Sequence, residues 1–356
     1  MKKSLLALAV LGAFAGVASA QSSVTLFGVV DVNARYVDNG AGKQYQLSQD
    51  GLNSSRLGVR GTEDLGGGLA AGFWLEGAIN PDTGTPGGQT WQRRSTVSLS
   101  GRFGEVRLGR DYTSTFWNST IFDPFGTNGV GSAGNLAFVA QVPTGAAYGT
   151  LVRVNNSIGY FLPSGIMGGL YGQAQISAGE NTAGNRYYGG RLGYAAGAFN
   201  VAGSYGKTQV TTGPTATLGD DQNGTQYNFG ASWNFGFMSL SGYWGRIEIG
   251  PSDQDNWFIG ASAPLGVWTL RASYGSVERS GGTVEGQKAD QFAIGAVYDL
   301  SKRTAFYSTY SYLQNKNDAR FITAPLVGGS YNVPGNGGSQ PGANSTGFEV
   351  GIKHSF

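Results

Sequence analysis

Apolar and polar residues alternate along most of this chain, and glycine, asparagine, aspartate and serine separate the alternating stretches. In the last stretch, Phe348, Val350 and Ile352 fall on one side, while Glu349 and Lys353 fall on the other. A period of two predicts β-strands that have one apolar and one polar face. Helical periodicity is scarce. After the first twenty residues, no window of 18 apolar residues predicts a transmembrane helix.

The predicted connections between strands alternate between short and long. Short turns are predicted at 64–68, 101–104, 163–168, 197–199, 235–236, 264–266 and 301–303, and long loops near 38–52, 79–90, 112–150, 179–185, 209–223, 249–254, 279–287 and 316–344. These connections predict an all-β fold, a 16-stranded antiparallel transmembrane β-barrel, with aromatic residues at the strand ends as interfacial girdles. A soluble β-sandwich of so many strands would be rare. Because side chains cannot fill so wide a barrel, the fold predicts a water-filled channel.

Composition separates a leader from the fold. Lys2 and Lys3 precede an apolar run, and Ala18, Ser19 and Ala20 form a small-residue cleavage site. This pattern predicts a signal peptide over residues 1–20 and a single barrel domain over residues 21–356. The whole chain has a formal charge of +2, so removal of the two leader lysines leaves a neutral chain. The chain has no basic tail, so its charge pattern does not predict a nucleic-acid partner.

Few residues are available for catalysis or metal binding. The chain has no cysteine and one histidine, His354, which alternation places on the outward face of the last strand. Disulfides, thiolate metal sites and histidine-based catalysis are therefore not expected. We predict no enzymatic activity, no metal and no cofactor.

The long connection at 112–150 contains two aromatic segments, at 116–117 and 121–126. Folded inward against the barrel wall, it would bury these aromatic side chains and narrow the lumen as a constriction loop. The alternative is an external loop that caps the mouth or contacts a neighbouring molecule.

Arginine is the only basic residue between positions 44 and 206, where the chain has ten arginines and no lysine. Its planar and permanently charged guanidinium suits carboxylates and phosphates. Because Leu57, Val97 and Ile158 are expected to face outward, alternation turns four arginines toward the lumen, together with one acid and one aromatic residue. These residues are Arg56, Arg60, Arg94, Arg153, Glu76 and Trp74. Several arginines that few acids oppose would attract anions.

Four segments carry a family resemblance: 23–31, 55–68, 73–76 and 105–110. They resemble Gram-negative trimeric general porins, most closely the anion-selective outer-membrane porins of beta-proteobacteria. The resemblance implies a homotrimer with the third loop folded inward. It also implies that the terminal Phe356 belongs to an outer-membrane assembly signal.

The resemblance further implies a pore constriction made of Arg56, Arg93 and Arg153, with Glu76 and Asp123 as the facing acids. Alternation favours Arg94 instead of Arg93. A β-bulge between Arg94 and Val97 would reconcile the two assignments, so both arginines stay candidates.

The sequence therefore predicts an outer-membrane porin for passive diffusion of small hydrophilic solutes, with a preference for anions. The expected partners are two further copies of the chain, outer-membrane lipids and lipopolysaccharide, small anions, and the outer-membrane assembly machinery. A substrate-specific channel is an alternative. It would need a lumenal aromatic ladder, for which the inward candidates are Phe27, Trp74, Tyr171 and Tyr187.

Overall fold

The computed structural model describes residues 23–40, 42–85, 90–137, 150–180, 186–211, 221–323 and 340–356. The predicted leader lies outside these residues. The described residues form one antiparallel sheet that closes on itself. Its strands are β1 (Ser23–Asp38), β2 (Lys43–Gln49), β3 (Arg56–Gly66), β4 (Leu69–Ala78), β5 (Arg94–Gly101), β6 (Gly104–Tyr112), β7 (Arg153–Phe161), β8 (Leu170–Ser177), β9 (Tyr187–Ala196), β10 (Phe199–Thr211), β11 (Asp221–Asn234), β12 (Ser239–Ile249), β13 (Ser252–Leu265), β14 (Trp268–Ser280), β15 (Lys288–Asp299), β16 (Thr304–Lys316) and β17 (Ser345–Ser355).

Two of these strands share one position in the barrel. β1 pairs with β3 through Ser23–Val29 and with β2 through Val32–Asp38, both antiparallel. β2 and β3 are thus one barrel strand that residues 50–55 interrupt. The prediction of sixteen strands is confirmed.

The barrel closes between its first and last strands. β1 pairs with β17 from Val29↔Ser355 to Asp38↔Thr346. At the end of this seam, the backbone groups of Gly28 and Phe356 exchange two hydrogen bonds, each 3.1 Å long. A side chain at Gly28 would overlap the Phe356 ring. The seam leaves no open sheet edge between the two terminal strands.

Apolar side chains form an exposed band on the outer face of the wall. Leu57, Val97, Leu99, Ile158 and Tyr160 are all exposed there, as alternation predicts. The predicted girdles consist of aromatic residues at strand ends, of which Tyr188, Trp233, Phe235 and Phe356 are exposed. Tyr187, also at a strand end, is buried and so does not belong to a girdle. Within the described ranges, no helix is long and apolar enough to cross a membrane.

Two predicted long loops are shorter than expected. Strand β2 occupies about half of the predicted loop at 38–52, and β12 and β13 are joined by only Gly250 and Pro251 in place of the loop at 249–254. Both segments are mostly polar. Backbone pairing with the adjacent strand continues there, and composition does not reveal such pairing.

The third long loop contains two helices, α1 (Ser114–Phe122) and α2 (Gly134–Ala137). Thr113 caps α1 by accepting a hydrogen bond from the Phe116 N–H at 3.4 Å, and the helix ends just before Asp123 and Pro124. Asn118 donates to Asn228 Oδ1 at 2.7 Å, and Ser119 and Tyr243 share a hydrogen bond of 2.8 Å.

The wall residues that bind this loop have inward side chains, because their strand neighbours Phe229 and Trp244 are exposed on the outer face. Phe122 packs with Ala202, Tyr243 and Phe258. The described part of the loop therefore lies against the inner face of the wall.

Candidate pore constriction

Three arginines meet at the ends of β3, β5 and β7 that lie nearest the third loop, and we call Arg56, Arg93 and Arg153 the arginine cluster. Arg56 begins β3, Arg153 begins β7, and Arg93 directly precedes β5. Arg153 Nε donates to the backbone carbonyl of Arg93 at 3.0 Å. The structure thus brings together the three arginines that the resemblance indicates.

Glu76 is the carboxylate that contacts this cluster. It accepts from Arg93 Nε at 2.6 Å, and its Oε1 atom lies 3.5 Å from Arg56 Nη1. Its second oxygen accepts from the indole N–H of Trp74 at 3.0 Å. Glu76 is 4% exposed. Because this carboxylate is held by two hydrogen-bond donors and an ion pair, it fixes the positions of Arg56 and Arg93 but offsets only part of the positive charge of the cluster.

Tyr112 completes the arrangement from the end of β6. Its phenolic oxygen accepts from Arg93 Nη2 and from Arg153 Nη2, both at 2.8 Å. The Arg153 guanidinium also lies 4.4 Å from the centre of the Tyr112 ring. Among the described residues, Arg153 has no carboxylate within 4.0 Å.

Both Arg93 and Arg94 extend to the inner side, but to different partners. Arg93 reaches Glu76 and Tyr112. Arg94 lies over the Trp74 ring at 4.5 Å and 3.9 Å from Asp111. Strand β5 begins only at Arg94, so alternation along the strand does not govern Arg93. The predicted bulge between Arg94 and Val97 is wrong, because β4 and β5 pair without a register shift from Glu76↔Arg94 to Ala70↔Ser100.

Arg60 and Trp74 lie together on the inner face. The Arg60 guanidinium lies 5.0 Å from the Trp74 ring centre and 5.3 Å from that of Phe27. No carboxylate lies within 4.0 Å of Arg60 among the residues that the structure describes. Aromatic faces hold a cation without neutralising it, so Arg60 adds to the positive potential.

Asp123 has a different environment from Glu76. Its carboxylate accepts from the N–H groups of Phe125, Thr127 and Ala133 at 2.9, 2.9 and 3.0 Å. Burial raises its pKa to about 6, although these donors and the charge of Arg271 act in the opposite direction. The hydrogen bonds of Asp123 thus organise the turn after α1, and none of them joins it to the arginine cluster.

The alternation pattern does not identify Tyr112. The register of β6 and β7 shifts between Gly109 and Asp111, so the outward position of Leu108 does not predict the side of Tyr112. Its position next to the constriction loop was the one available signal.

The four aromatic candidates for a lumenal ladder do not form one row. Phe27 and Trp74 contact each other, with their ring centres 5.0 Å apart. Tyr171 lies beside Arg191. Tyr187 is buried, and its hydroxyl shares a hydrogen bond with Ser114 of the third loop.

The described chain holds no group of three or more acidic or histidine side chains that could bind a metal.

Comparison with known proteins agrees with this architecture. A family model described as Gram-negative porin matches residues 7–318. Outer membrane porin protein 32 of Delftia acidovorans is 40% identical over 370 residues, covering 100% of both chains. An outer membrane porin protein of Bordetella pertussis is 31% identical and covers 88% of this chain and 95% of its own. The solved anion-selective porin from Comamonas acidovorans is 38% identical, with a TM-score of 0.83, and the match covers 94% of this chain and 100% of that one. The chain belongs to the Gram-negative porin family.

Proposed function

We propose that this outer-membrane porin is a trimeric, anion-preferring channel for small hydrophilic solutes. The observation that carries the anion preference is the arginine cluster, in which Arg56 and Arg93 share the carboxylate of Glu76 while Arg153 binds the backbone carbonyl of Arg93 and the Tyr112 hydroxyl. The family and the closed barrel indicate a channel and not an enzyme.

The charge of the cluster is large enough to select between ions. Two unit charges 4 Å apart interact by roughly 4 kcal/mol at an effective dielectric constant of about 20. Each ~1.4 kcal/mol changes an equilibrium ratio about tenfold. A fraction of this interaction would favour anions several-fold wherever the third loop narrows the lumen.

The anion-selective porin from Comamonas acidovorans supports this preference, because it is 38% identical to this chain. Net charge does not supply the preference. Without the predicted leader, residues 1–20, the chain is formally neutral, so selectivity would depend on where the arginines lie.

The trimer is supported by the outward face of the early strands. There, the side chains of Ala34, Ala71 and Ser95 are small, which suits close contact between protein surfaces more than contact with lipid. Chemical crosslinking and native mass measurement in mild detergent should give a heat-modifiable trimer. A monodisperse monomer would contradict the trimer while leaving the channel untouched.

Planar-bilayer recording tests the channel and its selectivity together. Purified protein should insert as ohmic pores, and the zero-current potential in a KCl gradient should indicate chloride preference. The preference should shrink as salt rises, because the Debye length falls from ~10 Å at 0.1 M to ~3 Å at 1 M. Inserted protein without conductance, or a cation-selective wild type, would overturn the proposal.

A further inference from the structure

We propose that Tyr112 is a positioning residue for ion selectivity, which holds Arg93 and Arg153 side by side without cancelling their charge. This inference rests on the proposed arginine constriction and names the group that fixes its geometry. Like charges so close repel each other, so an arrangement of this kind needs an acceptor between them.

The hydrogen bonds of Tyr112 meet that need. One phenolic oxygen accepts from both guanidinium groups at 2.8 Å, and a phenol, unlike a carboxylate, can accept both hydrogen bonds while it keeps its own proton. A carboxylate in the same place would bind the arginines more strongly but would remove one positive charge from the cluster. Phenylalanine would keep the ring and lose the acceptor.

The Tyr112 ring gives the cluster its second support. The Arg153 guanidinium lies 4.4 Å from the ring centre. Since Nε of the same group also donates to the Arg93 carbonyl, Arg153 is fixed through its ring contact and through two donor atoms. Lysine has a single ammonium group on a flexible stem, so it cannot reproduce this arrangement.

Tyr112 also connects the cluster to the third loop. Its ring is stacked on Phe116, with ring centres 5.1 Å apart and planes 9° from parallel, and it contacts Trp117 edge-on at 5.2 Å. The following residue, Thr113, caps α1. Tyr112 thus sets where the arginines lie relative to the helix of the constriction loop.

The test compares Tyr112→Phe with Tyr171→Phe in planar bilayers. Tyr171 is a matched control, because Arg191 also lies over its ring, at 5.1 Å, while its hydroxyl donates to Asn200 Oδ1 and receives no hydrogen bond from Arg191. We expect Tyr112→Phe to lower the chloride-to-potassium permeability ratio at least about twofold, because two charge-assisted hydrogen bonds are lost. Tyr171→Phe should keep the wild-type ratio.

A second variant, Arg153→Lys, keeps the charge and leaves Tyr112 in place. If Tyr112 positions Arg153 as proposed, Arg153→Lys should also lower the permeability ratio at least about twofold. If Tyr112→Phe does not assemble into heat-modifiable barrels, the permeability ratio of Arg153→Lys tests the positioning role of Tyr112 by itself.

The outcomes separate this inference from the proposed function. A wild type without anion preference, or an Arg153→Gln variant with the wild-type ratio, would contradict the arginine constriction itself. If Arg153→Gln lowers the ratio while Tyr112→Phe or Arg153→Lys retains the wild-type value, charge alone determines selectivity and the positioning role of Tyr112 is wrong.

Discussion

Arg153 donates a hydrogen bond from Nε to the backbone carbonyl of Arg93 at 3.0 Å, although the two residues are sixty positions apart in the sequence. A guanidinium that binds a backbone carbonyl keeps its charge, because the acceptor is neutral. The contact therefore places the positive charge of one strand end beside that of another and preserves both.

Arg56 and Arg153 should matter more for ion selectivity than for barrel stability. We expect the double variant Arg56→Gln/Arg153→Gln to move the zero-current potential in dilute KCl toward that of a cation-preferring pore. Barrel stability should change by less than about 1 kcal/mol, because the variant relieves repulsion while it removes hydrogen bonds. The zero-current potential measures selectivity. The temperature at which the folded barrel converts to the unfolded chain on SDS gels measures stability. An unchanged potential in dilute salt would contradict the proposed constriction.

Removal of the carboxylate at Glu76 should increase anion preference and reduce stability. Glu76→Gln leaves Arg56 and Arg93 without their acidic partner, so repulsion within the cluster rises. We expect a loss of about 1–3 kcal/mol, seen as conversion at lower temperature on SDS gels. Glu63→Gln is the control, because Glu63 is exposed at the far end of the same barrel region. Lower anion preference in Glu76→Gln would show that Glu76 acts mainly by positioning the arginines.

Stability should depend on pH through Asp50, which lies between β2 and β3. Burial raises its pKa from 3.8 to about 7, although Arg35 at 3.5 Å favours the charged form. A folded-state pKa above the unfolded value means that the folded state binds the proton more tightly. The contribution of Asp50 to stability is therefore complete below about pH 4 and is lost as pH rises through 7.

Asp50→Asn should remove this dependence. We expect the variant to resist thermal conversion better than wild type at pH 8, by as much as about 4 kcal/mol, and to match it near pH 4. Asp82→Asn, at an exposed loop position, is the control. Equal thermal profiles of wild type and Asp50→Asn at both pH values would contradict the assignment.

Loop seating should depend on the absence of a side chain at Gly230. A Cβ atom there would overlap the Phe122 ring of α1. Gly230→Leu should therefore displace the loop, cost about 1–3 kcal/mol through overpacking, and increase open-channel current noise. Gly42→Leu is the control, because among the described residues, its chain neighbours aside, no atom lies within 4 Å of a Cβ at Gly42. If the open-channel current noise of Gly230→Leu is as low as that of the wild type, the loop has another stable position.

Alternation and turn residues were sufficient to predict the barrel. The pattern around Leu57, Val97 and Ile158 reports which face meets an apolar surround, and these side chains are exposed on the outer wall. Strand number follows, because each β-strand must cross the same apolar thickness. Loop lengths were predicted less well, since β2 has only Tyr45 and Leu47 as exposed apolar residues, too few to distinguish a strand from a polar loop, although its backbone pairs with β1.

The sequence by itself determined that this chain forms a sixteen-stranded barrel, and its alternation predicts that Arg56, Arg60, Arg94 and Arg153 face the lumen, because a period of two is a local property of the backbone. Tertiary structure alone decided that Arg93 and Arg153 share the Tyr112 hydroxyl and that Asp123 binds its own loop. These contacts form at strand ends and in a loop, where alternation stops. The partners of Tyr112 lie 19 and 41 positions away in the sequence, and pairing of β6 with β5 and β7 brings them together.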